Sequence, residues 1–279
     1  MTEYTNSVQG DIARFFREMR EGARRQGNVV FALIFKEIKS RSGVDGHGLL
    51  SLVGVVLEPV IALAGIMLFF YFLRRSEVSG IHIALYMAVS YVPFGIIRRS
   101  LSSIPRSLGS NSAFYAYQQV KPFDSILARF ILEIALTMIG AAVVLFVLWW
   151  FLDLRINFDK SPQLLGLVVM MMVTGFGCSL FFGTYGKLYP IILKVIRMVS
   201  RALFFLSAVI HPISQLQGKV GDYILLNPLA HFEEKAREYA LGVKPYPGVT
   251  LTYPASFMLI MLFLGFVGYY VNRFEVLRK

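Results

Sequence analysis

Residues 126–152 read ILARFILEIALTMIGAAVVLFVLWWFL, and after Glu133 this stretch contains no charged residue. A helix crosses a hydrocarbon core about 30 Å thick with about 20 apolar residues, so the stretch predicts a transmembrane helix. Arg129 and Glu133 lie one helical turn apart at its start, a spacing that allows a local ion pair. We expect these two residues to form a structural pair, because pairing lowers the free energy of placing each charge near the hydrocarbon.

Five further apolar runs extend the prediction to six transmembrane helices. They are residues 49–73, 81–97, 163–186, 190–210 and 254–271. The run at 190–210 is the weakest because it contains three basic residues, and we expect it to be a shorter or broken span. Gly175 and Gly177 lie within the run at 163–186 and indicate close helix packing by small residues.

The composition of the chain independently favours a membrane protein. Of 279 residues, 56% are hydrophobic and 16% are charged, whereas an ordinary soluble domain has about 25% charged residues. No soluble fold covers so much apolar surface, so the composition excludes a soluble enzyme and a disordered chain. We therefore predict an all-α integral membrane protein with six transmembrane helices.

The distribution of Lys and Arg predicts the orientation. Six spans place both termini on one side, and 20 of the 28 Lys and Arg residues fall on that side. Because basic loops stay in the cytoplasm, we expect both termini there. The predicted organisation is a cytoplasmic amphipathic region at 1–48, a membrane domain at 49–271 and a cytoplasmic tail at 272–279. The membrane domain includes a cytoplasmic loop at 98–125 and an outer segment at 211–253, either re-entrant or lying on the surface.

The N-terminal region contains two amphipathic stretches. In the first, the apolar residues Ile12, Phe15, Phe16 and Met19 recur at helical spacing, and arginines lie between them. The second covers residues 29–41, and its predicted apolar side consists of Phe31, Ile34, Phe35 and Ile38. Basic amphipathic helices lie in the membrane interface, so we interpret both stretches as interfacial helices. They act either as a positive-inside anchor or in substrate capture.

Motifs for nucleotide or metal binding are absent from the sequence. The Gly-Lys pairs at 186–187 and 218–219 are followed by Leu and Val, which does not fit the phosphate-binding GxxxxGK[ST] pattern. The four histidines lack the spacing of a zinc site, and the single cysteine, Cys178, has no partner within the chain. We expect this chain to bind no metal and no cofactor.

The densest acidic group lies in the outer segment. Glu233, Glu234 and Glu238 alternate with Lys235 and Arg237. A membrane enzyme acting on lipid-linked sugars would use clustered carboxyl groups as general acid and base. We interpret the group more simply, as the solvated face of an outer helix.

Several short pieces of sequence resemble those of a known family. They read FKEIKSR at 35–41 with LEP at 57–59, YQQVKPFD at 117–124 with AR at 128–129, GKLYP at 186–190 and NPLAH at 227–231. In this order and spacing, the chain resembles the permease subunit of capsular-polysaccharide ABC exporters, in the wider group that also exports O-antigen and teichoic acid. Residues 50–56 depart from the pattern, since they read LSLVGVV where relatives carry a Tyr-Leu-Trp-like stretch.

The resemblance implies an assembly around the chain. It implies six spans per chain, a homodimer with a canal along the two-fold axis, and a separate ATPase subunit, carrying ATP and Mg, on each permease. It places the permease in the bacterial inner membrane, with the segment at 211–253 at the periplasmic mouth. There the segment would meet a periplasmic adaptor of a machine that includes an outer-membrane exporter.

The resemblance also implies that residues 110–121 form a coupling helix against the ATPase. The candidate contacts are Phe114, Tyr115, Tyr117, Gln118 and Lys121. Aromatic residues are enriched at interaction hot spots, which favours this role. The alternative is an aromatic belt at the membrane interface.

The candidate substrate path combines charged and aromatic residues of spans 1 and 5. They are Glu58, Phe69, Phe70, Tyr71, Phe72, Lys194, Arg197, Arg201, Phe204 and Phe205. Glu58 is expected to face the canal or to pair with an arginine such as Arg99, because an ionisable residue at membrane depth needs a partner or an aqueous lining. The three cations stack on one helix face and either draw an anionic headgroup inward or mark a late span start. The aromatic residues either contact sugar rings or form an interface belt and dimer contacts.

The expected function is the export of a lipid-anchored, acidic capsular polysaccharide, powered by ATP hydrolysed on a partner chain. The chain itself is expected to do no covalent chemistry and to bind no nucleic acid, and its other contacts are membrane lipids. An alternative within the class is a permease for O-antigen, teichoic acid or a small amphiphile. An alternative from another class is a membrane enzyme that modifies lipid-linked glycans.

Overall fold

The computed structural model describes a predominantly helical chain. It covers residues 2–41, nine positions between 53 and 68, and residues 77–78, 80–154, 156, 159–210, 212–216 and 220–278. The helices within these residues are α1 (Thr2–Arg41), α2 (Ile83–Ser102), α3 (Ser107–Ser110), α4 (Pro122–Leu152), α5 (Ser161–Leu188), α6 (Pro190–Leu206), α7 (Val220–Ile224), α8 (Pro228–Leu241) and α9 (Thr252–Arg278). A short antiparallel hairpin pairs β1 (Glu77–Val78) with β2 (Ile81–His82), and 3₁₀ turns lie at Ile104–Arg106, Ser112–Ala116 and Ile213–Gln215.

Three of the described helices, α4, α5 and α9, are long and apolar enough to cross a membrane. Each is longer than the roughly 20 residues that a span requires. The prediction of an all-α membrane protein is thus confirmed at this coarser level. The run at 81–97 lies largely within α2, which has 20 residues, and the weak run at 190–210 forms α6, which has 17 residues. The run at 49–73 lies mostly outside the described residues.

Local sequence signals define where α4 begins and ends. Pro122 lies in its first turn, where the missing N–H leaves no unpaired donor. The carboxylate of Asp124 accepts a hydrogen bond of 2.9 Å from the Lys121 N–H, which caps the first turn of the helix. The helix ends at Asp153, which has the left-handed conformation with φ 49°. Pro122 and Asp124 thus fix the point where the 98–125 loop enters the helix.

Helix α5 is the centre of the membrane domain, since it contacts α2, α6, α8 and α9. The predicted role of its glycines in close packing is confirmed. A Cβ atom on Gly177 would lie 2.7 Å from the backbone nitrogen of Leu262 in α9, and one on Gly175 would lie 2.4 Å from the Ser100 hydroxyl of α2. Both neighbouring helices therefore approach α5 more closely than any side chain at these positions would permit.

The two N-terminal amphipathic stretches form one continuous helix, α1. Its buried side consists of Val30, Leu33 and Glu37, which lie against the start of α4 around Ala128. Phe31 is exposed, as is Phe35. The other two residues of the predicted apolar side, Ile34 and Ile38, are half-buried. Exposed phenylalanines are compatible with an interfacial helix, because its apolar side would contact lipid.

Helix α8 contradicts the interpretation of its acidic group as a solvated face. The helix packs against α2, α5 and α9, and Glu233, Glu234 and Arg237 are buried. That interpretation was wrong because a charge run indicates solvent only when the charges stay unpaired. Here Arg237 and Glu234 pair with one another at 2.9 Å, which lowers the free energy of burying both.

Candidate functional site

A buried cluster of charges joins three helices at the end of the domain that carries the 98–125 loop. Its centre is the carboxylate of Glu133 in α4, whose side chain is 2% exposed. Arg41 of α1 and Arg99 of α2 both donate to this carboxylate, with a distance of 2.7 Å from the Arg99 guanidinium, and the Ser103 hydroxyl donates at 2.6 Å. One carboxylate therefore ties α1 and α2 to α4.

A second carboxylate, that of Glu37 in α1, completes the cluster. Arg129 donates to it, and Arg41 lies 3.6 Å from it one turn further along α1. The Arg129 guanidinium also lies 3.3 Å from Glu133, the separation expected for a local ion pair. The spacing of Arg129 and Glu133 predicted part of this cluster. The partners on α1 and α2 were not predicted, and the only available sequence signal was the i,i+4 spacing of Glu37 and Arg41.

Helix α1 also contacts the 110–121 loop directly. Lys36 Nζ donates a hydrogen bond of 2.7 Å to Asn111 Oδ1 and lies 5.2 Å from the centre of the Phe114 ring. Closer to the start of α4, Gln26 Nε2 donates to Asp124 Oδ1 at 2.9 Å. Hydrogen bonds therefore connect α1 to the start of the loop and to the first turn of α4 that follows it.

The predicted coupling residues divide between the two sides of the loop. Phe114 and Tyr115 are half-buried, and Tyr115 packs on the apolar cluster around Leu108. Tyr117 is 66% exposed, and Gln118 and Lys121 are also exposed. The loop thus combines an anchored side with a free side that offers an aromatic, an amide and a cation.

The three cations of α6 lie on one exposed side of that helix. The packed side contains Ile196 and Ser200, while Lys194, Arg197 and Arg201 are all exposed. Lys194 and Arg201 are about 10 Å apart along the axis at 1.5 Å per residue. A separate exposed side is apolar and consists of Ile191, Val195, Met198, Val199, Phe205 and Leu206. The outer surface of α6 therefore divides into a cationic stripe and an apolar stripe.

The predicted aromatic residues of α6 lie in different environments. Phe204 packs against α2, with its ring centre 6.0 Å from Tyr91 and 5.6 Å from Phe94. Phe205 is 69% exposed on the apolar stripe. Glu58 and the aromatic run at 69–72 lie outside the described residues.

A second buried charge cluster, which the sequence did not predict, surrounds Arg237 in α8. The side chain is 1% exposed and donates to Glu234 at 2.9 Å and to the Ser90 hydroxyl of α2 at 2.9 Å. It also donates to the Tyr86 hydroxyl and to the Ala208 carbonyl that follows α6. Arg237 thus links the outer segment to α2 and to the chain after α6.

Glu233, next to this cluster, is a buried carboxyl group without a hydrogen-bond partner on either oxygen. Burial raises the pKa of Glu233 well above its usual range; Arg237 opposes this rise and Glu234 adds to it. The folded state therefore binds this proton more tightly than the unfolded chain does. The stabilising contribution is complete below the unfolded pKa of about 4.3 and is lost as the pH rises through the folded pKa.

We expect Glu233→Gln to raise the melting temperature at pH 8 by about 2–4 °C, which corresponds to ~1 kcal/mol in a chain of this size. The amide keeps the shape of the side chain and carries no charge that burial penalises. The gain should shrink as the pH is lowered toward 5 in detergent-solubilised protein. Glu238→Gln is the matched control, because Glu238 pairs with Lys235 and Lys160 near the surface. A pH-independent effect of Glu233→Gln would contradict this prediction.

Comparisons with known proteins agree with this architecture. Residues 28–241 match the ABC-2 type transporter family. The Polysialic acid transport protein KpsM of Escherichia coli is 28% identical over 250 residues, covering 90% of this chain and 95% of that protein. The Capsule polysaccharide export inner-membrane protein CtrC of Neisseria meningitidis serogroup B is 29% identical over 223 residues, covering 78% and 80% of the two chains. BexB of Haemophilus influenzae, with the same description, is 25% identical over 258 residues, covering 87% and 91%.

The family match extends from α1 to the end of α8 and so includes both buried charge clusters, the loop and the cationic stripe. The resemblance found in the short sequence pieces is therefore confirmed over most of the chain. The chain belongs to the ABC-2 type transporter family.

Proposed function

We propose that this chain is the transmembrane subunit of an ATP-driven exporter that moves a lipid-anchored, acidic capsular polysaccharide outward across the bacterial inner membrane. The observation that carries the proposal is the similarity over 90% of the chain to a transport protein for polysialic acid, which is itself an acidic polysaccharide. Two capsule export proteins of other bacteria are also similar in sequence to this chain over most of their length.

The proposed assembly is a homodimer with six spans per chain, both termini in the cytoplasm and an ATPase subunit on each permease. A periplasmic adaptor and an outer-membrane exporter would continue the route. The exposed apolar stripe of α6 supports dimerisation or lipid contact, because a transmembrane surface of this kind meets either a partner helix or acyl chains. The free side of the 110–121 loop supports contact with the ATPase.

The proposed mechanism couples ATPase closure to opening of the canal. The ATPase subunits would close on ATP and press on the exposed Tyr117 side of the loop. The hydrogen bond from Lys36 to Asn111 and the cluster around Glu133 would pass this displacement to α1 and α2. Because the charged contacts join helices as rigid bodies, the motion takes the form of helix displacement and not loop rearrangement.

Deleting the gene in its own host tests the function. We expect lipid-linked polysaccharide to accumulate inside the cell and to disappear from the surface, with recovery when the wild-type gene is restored. A glycan-modifying enzyme would instead change the composition of the polymer and leave it at the surface. Purification of the tagged chain should also yield an ATPase with the Walker motif, in a fixed ratio to the permease.

The cationic stripe gives a sharper prediction within the same system. We expect Arg197→Gln and Arg201→Gln each to lower export about tenfold, equal to ~1.4 kcal/mol, because an arginine fork binds phosphate or carboxylate with two hydrogen bonds. Surface polysaccharide and substrate-stimulated ATP hydrolysis are the two measurements. Arg24→Gln, at an exposed position on α1, is the control. Normal values for both stripe variants would leave these arginines with a role in topology alone.

A further inference from the structure

A cavity of ≈ 600 Å³ lies where the 98–125 loop meets the junction of α5 and α6. Its lining residues are Pro105, Arg106, Gly109, Gly186, Lys187, Leu188, Pro190 and Leu193. Two of these are cations and none is acidic. The cavity therefore joins two loops that the Lys and Arg distribution places on the same, cytoplasmic side of the membrane.

The cations at this cavity lack the neutralisation found elsewhere in the molecule. Among the described residues, neither Arg106 nor Lys187 forms a salt bridge, whereas Arg41, Arg99 and Arg129 all contact carboxylates of Glu37 or Glu133. The basic residues at this end of the domain therefore form two groups. The first group is paired with carboxylates, and the second lines an open cavity that has no carboxylate in its lining.

Arg106 is close enough to Arg197, the middle cation of the stripe, for the two positive charges to repel one another. Partial burial, the positive charge of Arg197 and that of Arg129 lower the pKa of Arg106, and the negative charge of Glu133 opposes this shift. Like charges that converge beside a membrane are stabilised by an anion between them. The positive potential of the stripe on α6 therefore extends to the cavity.

The shape of the cavity depends on a glycine at the end of α5. A Cβ atom on Gly186 would lie 2.4 Å from the side chain of Leu193, which lines the cavity from α6. A side chain at this position would push Leu193 and the first turn of α6 away from α5. The absence of a Cβ therefore lets Leu193 pack against the end of α5 and form one wall of the cavity.

We propose that this cavity binds the phosphate group of a lipid headgroup at the cytoplasmic leaflet. Lys187 lies in the last turn of α5, which places the cavity at the depth where a membrane presents phosphate groups. Basic pockets between transmembrane helices at this level recognise headgroups, and the planar fork of Arg106 matches phosphate oxygens. The same chemistry has two sources, namely an anionic phospholipid or the lipid anchor of the cargo. The assignment rests on the proposed orientation and not on which cargo is exported.

Lipid binding to the purified complex tests the site. The permease with its ATPase is stripped of lipid in detergent and titrated with phosphatidylglycerol or phosphatidylcholine, and bound lipid is counted by native mass spectrometry. We expect Arg106→Gln and Lys187→Gln each to weaken phosphatidylglycerol binding about tenfold, as expected for the loss of one charge-assisted hydrogen bond. The double variant should retain phosphatidylglycerol no better than phosphatidylcholine, while Lys244→Gln, an exposed cation of the 211–253 segment, should bind like wild type.

The source of the phosphate is identified by adding the host's purified lipid-linked polysaccharide to the complex loaded with phosphatidylglycerol. Displacement of the phospholipid from the wild type assigns the site to the anchor of the cargo, and retention assigns it to a membrane lipid. Equal phosphatidylglycerol binding by the wild type and the double variant would overturn the proposal. Because binding is counted without transport, this outcome is independent of the gene-deletion test of export.

Discussion

Glu133→Gln is expected to lower the free energy of unfolding by about 3–5 kcal/mol, the effect of removing one partner from a buried ion pair. The Glu133 carboxylate accepts hydrogen bonds from Arg41, Arg99 and Ser103 within a site closed to solvent. The amide removes the negative charge and leaves the guanidinium groups buried around a neutral group. Since those groups belong to α1 and α2, we expect α1 to detach from the domain before α4 unfolds.

Thermal unfolding of the assembled complex in detergent measures this loss, and protease accessibility of α1 reports its detachment. Glu21→Gln is the matched control, because Glu21 forms an ion pair with Arg25 in which both side chains are more than half exposed. Exposed pairs contribute roughly 0–1 kcal/mol, so the control should unfold near the wild-type temperature. If both variants lost the same small amount, the cluster around Glu133 would not hold α1 in place.

The same variant separates structural from mechanical roles of the cluster. Complexes that survive at low temperature should hydrolyse ATP at a near-normal basal rate, because the proposed assembly places the ATPase site on a partner chain. Export should fall further than stability alone explains, since the displaced α1 no longer links the 110–121 loop to α2. Export that follows the amount of folded complex would instead assign the cluster to stability alone.

The parts of this fold that the sequence predicts are those in which one residue type dominates a long run. Residues 126–152 could only become a membrane helix, because their apolar side chains exceed what any soluble core would cover. The ion pair of Arg129 with Glu133 followed from helical spacing alone. Arg129 also contacts Glu37, which lies 92 positions earlier in the chain, and no local sequence pattern predicts a contact at that separation.

Burial of charge was the main property that local sequence patterns did not predict. In α8, Glu234 and Arg237 share one face by their i,i+3 spacing, which was the available signal, but an exposed helix shows the same spacing. The distinction depends on Tyr86 and Ser90, which α2 brings to this face from a distant part of the chain. In α1, no local pattern predicted that Glu37 is buried, because its partner Arg129 lies in a distant part of the chain.

Arg237, in the 211–253 segment, gives the second large effect. Arg237→Gln is expected to lower the free energy of unfolding by about 3–5 kcal/mol, because Glu234 would remain buried with only the weaker backbone donors of Ile213 and Tyr246, at 3.4 Å and 3.3 Å. We expect α8 to separate from α2, since the contact with Ser90 is lost in the same step.

Arg237→Lys and a double variant distinguish charge from geometry. An ammonium group keeps the charge but cannot reach Glu234, Ser90 and the Ala208 carbonyl together, as the guanidinium does. The melting temperature of Arg237→Lys should therefore remain well below that of the wild type.

The double variant Glu234→Gln with Arg237→Gln should lose at least ~1 kcal/mol less free energy of unfolding than the sum of the two single variants, because neither side chain is then left as an unpaired charge. Lys235→Gln, on the same helix but paired with Glu238 at a more open position, is the control and should change stability by less than about 1 kcal/mol. Additive losses, or a wild-type melting temperature for Arg237→Lys, would contradict a geometrically specific role for Arg237 in holding α8 among the membrane helices.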